Sequence, residues 1–227
     1  MIKFPLSPIF IPANKLDWIT KTFERGADSI ILDLEDSVTE THKKKAREDL
    51  YLHLIDNKYE GNLIVRVNPI DQDLGLEDIE KLTDTDLSID AFMVPKIEDS
   101  SFLSKLPEIN VIPLLETPRS IRNITDIASQ SRVKGLALGG ADLSASLGST
   151  MDWDSLLYAR SKIILEASIN NLFSIDSPFM DINDLESLEK ESKKSKSLGF
   201  DGKAAIHPNQ IEVIQKSFLP TDEEVKE

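Results

Sequence analysis

Eight short apolar runs punctuate this chain, separated by longer polar stretches, and most of them are continuously apolar instead of alternating. They are Ile9–Pro12, Ser29–Leu34, Leu63–Val67, Ala91–Pro95, Val111–Leu115, Gly135–Leu138, Leu172–Ile175 and Lys203–Ile206. A strand with one face in water alternates apolar and polar residues, whereas an unbroken apolar run is a strand covered on both faces, as in a parallel sheet. The last run, interrupted by Lys203, fits that pattern least. Helical patterns fill the gaps over Lys15–Arg25, Thr39–Leu54, Ser120–Ser131, Ser155–Asn170, Leu185–Leu198 and Pro208–Lys216. Gly26 and Gly199 stand where C-caps belong, and Pro208 opens the last helix. The connection after the fourth run is short. Strand–helix alternation repeated about eight times, with no Gly-x-Gly-x-x-Gly phosphate loop, predicts an α/β fold of the closed (β/α)₈ TIM-barrel type rather than a doubly wound sheet. With 227 residues, 40% of them hydrophobic, and no shift of composition along the chain, one domain spanning 1–227 is expected.

Charge and composition remove several functions. The net charge is −14, from 26 Lys+Arg against 40 Asp+Glu, so the clustered cations that hold a phosphate backbone are missing and nucleic acid is not an expected partner. With no cysteine, disulfides, thiolate metal sites and Cys nucleophiles are excluded, and a cytoplasmic location is the expectation. No stretch reaches the roughly 20 apolar residues of a membrane span. Pro5 and Pro8 interrupt the apolar start, which therefore does not read as a signal peptide.

In barrels of this kind chemistry sits at the carboxyl ends of the strands. The runs here end in Asp33-Leu34-Glu35-Asp36, Arg66-Val67-Asn68-Pro69, Pro95-Lys96, Glu116-Thr117, Gly139-Gly140-Ala141-Asp142, Asp176 and His207-Pro208. Carboxylates dominate. Glu116 and Asp142 end neighbouring strands and can converge on one Mg²⁺, an ion that keeps oxygen ligands and takes few protein carboxylates. Alternatively each is a cap, Asp142 for a helix starting at Leu143. Arg66 lies in an apolar strand and must find an anion. That anion is either a substrate carboxylate or enolate held in its fork, or a structural partner among Asp33, Glu35 and Asp36. Gly139 and Gly140 allow close approach of backbone or substrate, or make only a tight turn. His207 reads first as a packed or helix-initiating histidine and second as a catalytic or metal-ligating one, while His42 and His53 read as surface residues. Lys96 could form a Schiff base only if desolvated. No Gly-x-Ser-x-Gly elbow supports a serine nucleophile.

Taken in order, these segments resemble the citrate lyase β-subunit family, grouped with the HpcH/HpaI aldolases among the phosphoenolpyruvate/pyruvate barrels. The resemblance runs through Ile9-Phe10-Ile11-Pro12, Gly26-Ala27-Asp28, Asp33-Leu34-Glu35-Asp36-Ser37-Val38, Lys44 or Lys45 with Ala46-Arg47, and Arg66-Val67-Asn68-Pro69. It continues through Pro95-Lys96, Glu116-Thr117, Gly139-Gly140-Ala141-Asp142-Leu143, Ala159-Arg160-Ser161 and Asp176 to Gly199-Phe200-Asp201-Gly202-Lys203-Ala204-Ala205-Ile206-His207-Pro208-Asn209-Gln210. The resemblance implies a Mg²⁺-dependent carbon–carbon lyase that cleaves a citryl-, malyl- or citramalyl-type thioester to an acyl thioester and a 2-oxo acid. It implies a metal held by Glu116 and Asp142, an oxo acid contacted by Arg66, Glu116, Gly139 and Gly140, and an acyl-CoA or acyl-carrier-protein substrate. A homo-oligomer, a trimer by preference, goes with it. Asp36, with Lys45 nearby, is the reading for local proton handling. A metal-dependent thioesterase, or a non-catalytic paralogue that binds an oxo acid or a partner, is the alternative. The chain departs from the family at Leu6, where an arginine is usual, at Ala13 in place of a glycine, and at Thr117-Pro118-Arg119-Ser120 after Glu116. It is also expected to lack the C-terminal segment that covers the site in relatives.

Overall fold

Every apolar run becomes a strand. The computed structural model describes residues 5–83 and 87–220; Met1–Phe4 of the proline-punctuated start, and the end of the chain up to Glu227, lie outside the described residues. The strands are β1 (Ile9–Pro12), β2 (Ser29–Asp33), β3 (Asn62–Arg66), β4 (Ala91–Val94), β5 (Val111–Leu115), β6 (Gly135–Leu138), β7 (Phe173–Asp176) and β8 (Gly202–Lys203). They pair in parallel in the order of the sequence. The eighth returns to the first: Lys203 N–H donates to Leu6 O at 3.0 Å, Ala205 N–H to Pro8 O at 2.9 Å, and Phe10 N–H to Ala205 O at 2.9 Å. Closure of this kind removes the open edges of a sheet and gives the expected TIM-barrel architecture. The final strand is shorter than Lys203–Ile206, with its later pairing reduced to a bridge from Ala205 to Ile9.

Strand periodicity of two separates the core into two layers. Ile31, Ile64, Ala91, Met93, Ile112, Leu114, Ala137, Phe173, Ile175 and Ala204 pack together inside the barrel. Their neighbours on the strands, among them Ile30, Leu32, Leu63, Val65, Leu115, Leu136 and Leu138, face the surrounding helices. This double coverage is why the runs are continuously apolar.

The helices are α1 (Trp18–Glu24), α2 (Lys43–Asp56), α3 (Asp73–Leu82), α4 (Pro118–Arg122), α5 (Ile124–Ala128), α6 (Gly140–Leu147), α7 (Trp153–Asn170), α8 (Leu185–Leu198) and α9 (Ile211–Phe218). One was not expected, and one was expected only as an alternative that started at Leu143. α3 is hidden in the sequence by Gly75 in its first turn. That glycine lets the helix press on the exit of β3, since a Cβ there would stand 2.3 Å from Asn68 O. α6 begins at a Gly-Gly pair that reads as a turn. The expected single helix over Ser120–Ser131 is two short ones broken at Asn123, and the first is started by a capping box between Thr117 and Ser120 with Pro118 at its first position. A 3₁₀ segment, Ser100–Lys105, makes the short connection after β4.

A buried charge network fastens the closing strands to the helices. Asp176 on β7 accepts from Arg160 Nε of α7 at 2.9 Å and from Lys203 Nζ of β8 at 3.0 Å, and Ser195 Oγ of α8 also donates to it. Lys203 completes its shell with Ser177 O and Glu191 Oε1, both at 2.7 Å. Burial alone would raise the Asp176 carboxyl, but Lys203 and Arg160 outweigh it and hold the group below the ordinary carboxylate range. The lysine that interrupts the eighth run is therefore a seam. Removing the shared anion with Asp176→Ala should lower stability by about 3–5 kcal/mol in denaturant titrations, because two buried cations are left short of a partner. Lys190→Ala, which removes an exposed pair with Glu186, should leave the midpoint unchanged.

Candidate active site

The period that builds the barrel interior also builds the site. Two residues beyond the interior positions Ile31, Ile64, Leu114 and Ala137 come Asp33, Arg66, Glu116 and Gly139, on the same face of their strands. With Asp36, Gly140, Ala141 and Asp142 they line a cavity of about 400 Å³ floored by Phe10, Met93, Leu114 and Ile175.

Arg66 meets its structural partner. Nε donates to Asp33 Oδ1 and Nη2 to Asp33 Oδ2, both at 2.6 Å. The remaining edge, Nη1, lies 3.1 Å from Glu35 Oε2 and 3.4 Å from Asp36 Oδ2, and the guanidinium stacks 5.0 Å from the Phe10 ring centroid. Burial opposes this charge, yet the Asp33 hydrogen bonds and the three carboxylates hold the guanidinium protonated. Asp33 also accepts the N–H of Glu35 at 3.0 Å and of Ser37 at 3.1 Å. Its carboxyl stays below the usual range although burial pushes it up, because the Arg66 bonds dominate. The pair thus orients the loop that carries Glu35 and Asp36.

Glu35 is buried and stands between two cations, Arg66 and the Lys96 ammonium, whose Nζ is 3.0 Å from Oε1. Burial still raises its carboxyl above the ordinary value, with Asp36 adding to the rise. Lys96 itself has a left-handed backbone, φ +54°, and its N–H donates to Glu116 Oε1 at 2.8 Å. Burial opposes the Lys96 charge, but Glu35 outweighs it and keeps the ammonium protonated. The Schiff-base reading fails on that point, since it requires a free amine.

Glu116 is 2% exposed. Its carboxyl is pushed up to about 8, first by burial and then by the charges of Glu35 and Asp142, against the Lys96 N–H that lowers it. Gly139 makes room for it: a Cβ there would stand 2.4 Å from Glu116 Cβ and 2.8 Å from Oε2. Gly140 does the same for Ser177 Oγ, 2.8 Å from the position of a Cβ. Asp142 lies in the first turn of α6, which begins at Gly140 rather than Leu143, and its side chain makes no cap bond. The turn favours a negative charge there. Asp142 is exposed and has no hydrogen bond or ion pair among the described residues. Glu116 and Asp142 are therefore two carboxylates that raise each other's energy across one cavity. That donor set fits a small hard dication. Among the described residues no group of three or more His, Asp or Glu is assembled for a metal, and Mg²⁺ commonly takes one or two carboxylates and completes its shell with water and substrate oxygens.

Asp36 lines the cavity with its side chain 64% exposed. Lys45 is elsewhere: it pairs with Asp49 one turn along α2, with no ion pair to Asp36 and no place in the cavity wall. Of that stretch, Lys43 bonds Asn68 Oδ1, and Arg47 bonds Asp78 and Glu77. Both serve to dock α2 and α3 beside the β3 exit. His207 is exposed and caps the 3₁₀ turn that follows it, accepting from Asn209 N–H at 3.3 Å. His42 is exposed, whereas His53 is half-buried and meets Tyr59 Oη at 2.7 Å. The reading of strand ends had Glu35 only as a possible partner of Arg66 and Lys96 only as a Schiff-base option, and it missed the contact between them. The period of two places Glu35 on the inner face; nothing in the sequence marks the left-handed turn at Lys96.

Residues 6–208 match the family model described as HpcH/HpaI aldolase/citrate lyase. Human mitochondrial citramalyl-CoA lyase is 31% identical over 244 residues, a match covering 96% of this chain and 72% of that protein. A (3S)-malyl-CoA thioesterase of Cereibacter sphaeroides is 31% identical over 227 residues, covering 97% of this chain and 79% of that protein. Among solved structures, the citrate lyase beta subunit from M. tuberculosis complexed with oxaloacetate and magnesium superposes with a TM-score of 0.86 at 31% identity, covering 95% of this chain and 97% of that one. Among the described residues no helix is long and apolar enough to cross a membrane.

The raised Glu116 carboxyl makes a stability prediction with a defined sign. Its folded-state value of about 8 lies above the ordinary 4.5. In metal-free protein its contribution is therefore fully present below about pH 4.5 and is lost as pH rises through 8. Glu116→Gln fixes the neutral form. In thermal melts with a chelator, the variant should be more stable than the parent at pH 8–9 and no more stable at pH 4. Equal differences at both pH values would mean that another group titrates.

Proposed function

The chain belongs to the HpcH/HpaI aldolase/citrate lyase family, and we propose that its barrel-end site is that of a Mg²⁺-dependent carbon–carbon lyase. The substrate is a 3-hydroxyacyl thioester of the citryl, malyl or citramalyl type, and the products are an acyl thioester and a 2-oxo acid. The observation that carries this reading is the placement of Glu116 and Asp142, mutually repelling and unneutralised, beside a rigidly held Arg66 in one cavity. Glu116 and Asp142 would hold the metal. Mg²⁺, when bound, supplies Lewis-acid polarisation of the oxo-acid carbonyl and charge for its carboxylate.

The residues of the chain account for the rest. Arg66 is locked by Asp33 and cannot swing, so its Nη1 edge is a fixed positive point for the oxo-acid end of the substrate. Cleavage removes the proton of the 3-hydroxyl, breaks the bond between the hydroxyl carbon and the carbon next to the thioester, and leaves the electron pair on the thioester as an enolate, which is then protonated. No water is consumed. Asp36, exposed on the cavity wall, is the proposed group that takes the hydroxyl proton on its carboxylate. The apolar floor of Phe10, Met93, Leu114 and Ile175 lowers the local dielectric, which strengthens the charges above it.

Hydrolysis of the thioester is a second reading, favoured by the thioesterase among the relatives. It consumes water and releases a free thiol. The two part in one assay on malyl-, citramalyl- and citryl-CoA with Mg²⁺, following oxo acid by coupled reduction and thiol by a colorimetric reagent. The lyase reading expects oxo acid without free thiol, and a thiol without oxo acid replaces it with the hydrolase. In the productive assay Glu116→Ala should lower kcat/KM by about 10³-fold or more, and Asp36→Asn by about 10²–10⁴-fold, the usual weight of a general base. An Asp36→Asn enzyme with parental kcat would move the proton step to another group.

A further inference from the structure

Lys96 is held at both ends. Among the described residues only it and Asn171 combine a side chain with positive φ; Asn171 closes α7, where an asparagine cap is ordinary. A lysine has no such preference, because the left-handed region crowds Cβ against the carbonyl. Two contacts hold the conformation. The Lys96 N–H donates to Glu116 Oε1 at 2.8 Å, and the ammonium sits 3.0 Å from Glu35 Oε1. With Oε1 fastened from the β4 side, Oε2 is the oxygen nearest Gly139, the residue just after β6. That is the strand whose exit leads into α6 and Asp142.

We propose that Lys96 is the positioning residue for Glu116. Its left-handed turn, kept by the ion pair with Glu35, lets the chain leave β4 with the peptide N–H of Lys96 still on Oε1, and leaves Oε2 turned toward the Asp142 side as the metal-binding oxygen. The role rests on the reading of Glu116 and Asp142 as the Mg²⁺ pair. It is not a catalytic role, since the Lys96 side chain is absent from the cavity wall. Its effect is opposite in sign to that of charge alone. An ammonium near a cation site repels the cation, so by Coulomb's law its removal tightens metal binding. If Lys96 acts by positioning, its removal weakens binding, and residues that tolerate the left-handed region restore it.

The test is Mg²⁺ titration calorimetry on the full chain, with thermal melts to show that each variant is folded. Lys96→Ala should raise Kd about tenfold, at the low end of what losing an outer-shell partner costs. Lys96→Gln, with no charge and no left-handed preference, should do the same and stands in if the alanine variant does not fold. Lys96→Gly and Lys96→Asn should return Kd to within about threefold of the parent, because both residues accept positive φ. Unchanged or tighter binding in Lys96→Ala and Lys96→Gln overturns the inference. So does equal weakening in all four variants, which would assign the effect to the ammonium rather than to the turn. Parent protein that binds no Mg²⁺ overturns instead the reading of Glu116 and Asp142 on which the inference rests.

Discussion

Asp33 and Arg66 are register partners in the β2–β3 ladder, both on the inner face, and the rest of the rim is arranged around their contact. A buried arginine in a barrel interior is tolerable only with an anion set against its fork. The sheet supplies one by placing an aspartate opposite it, so the two 2.6 Å bonds follow from register rather than from a flexible loop. The same carboxylate then takes two backbone N–H groups from the segment after β2. Register thus fixes the arginine, the arginine fixes the aspartate, and the aspartate curls the loop that presents Glu35 to the interior and Asp36 to solvent. The sequence left two readings of Arg66 open, a structural ion pair or a fork for substrate. The structural reading is met by Asp33 on one edge and by Glu35 and Asp36 beside Nη1, and Arg66 also lines the cavity, which is what the proposed contact with substrate rests on.

Much of this was readable from residue order. Continuous apolar runs announced strands covered on both faces, and β1, β5, β6 and α8 lie where expected. The ends of β2 and β4 and both bounds of β3 and β7 differ by a residue, which is the ordinary uncertainty of element boundaries. The strand-end reading brought Arg66, Glu116, Gly139, Gly140, Asp142 and Asp36 to one cavity. It left Lys45 outside, because a charged helix gives no sign of which lysine faces the strands, and in α2 the docked residues are Lys43 and Arg47. α3 went unread, and α6 was read only as an alternative starting three residues late, for a shared reason. Gly75 and the Gly139-Gly140 pair look like breaks in a helix, yet each sits where a helix start must press against strand backbone or side chain, and only the packed structure shows that pressure. Lys96 was visible as a strand-end lysine, but a left-handed φ on a residue type that has no preference for it is a tertiary fact, set by Glu35 and Glu116 together.

The barrel carries two charged networks, and the contrast between them is informative. Around β7 and β8, the cations Arg160 and Lys203 meet the anions Asp176 and Glu191. Charge is matched, hydrogen bonds fill the carboxylate of Asp176, and the network needs nothing further to be stable. At the strand ends of β2 to β6, the cations Arg66 and Lys96 face Asp33, Glu35, Asp36, Glu116 and Asp142. Positive charge is short there, and the shortage falls on Glu116, whose carboxyl burial and the neighbouring charges push up to about 8. A structural network would be expected to settle as the first one does. A buried carboxyl pushed up to about 8 beside an Asp142 with no hydrogen bond or ion pair among the described residues instead supports the proposed divalent cation, for which a proton on Glu116 would be the place-holder. That imbalance, more than the identity of any one acid, is the physical reason to read this rim as a site for metal and oxo acid.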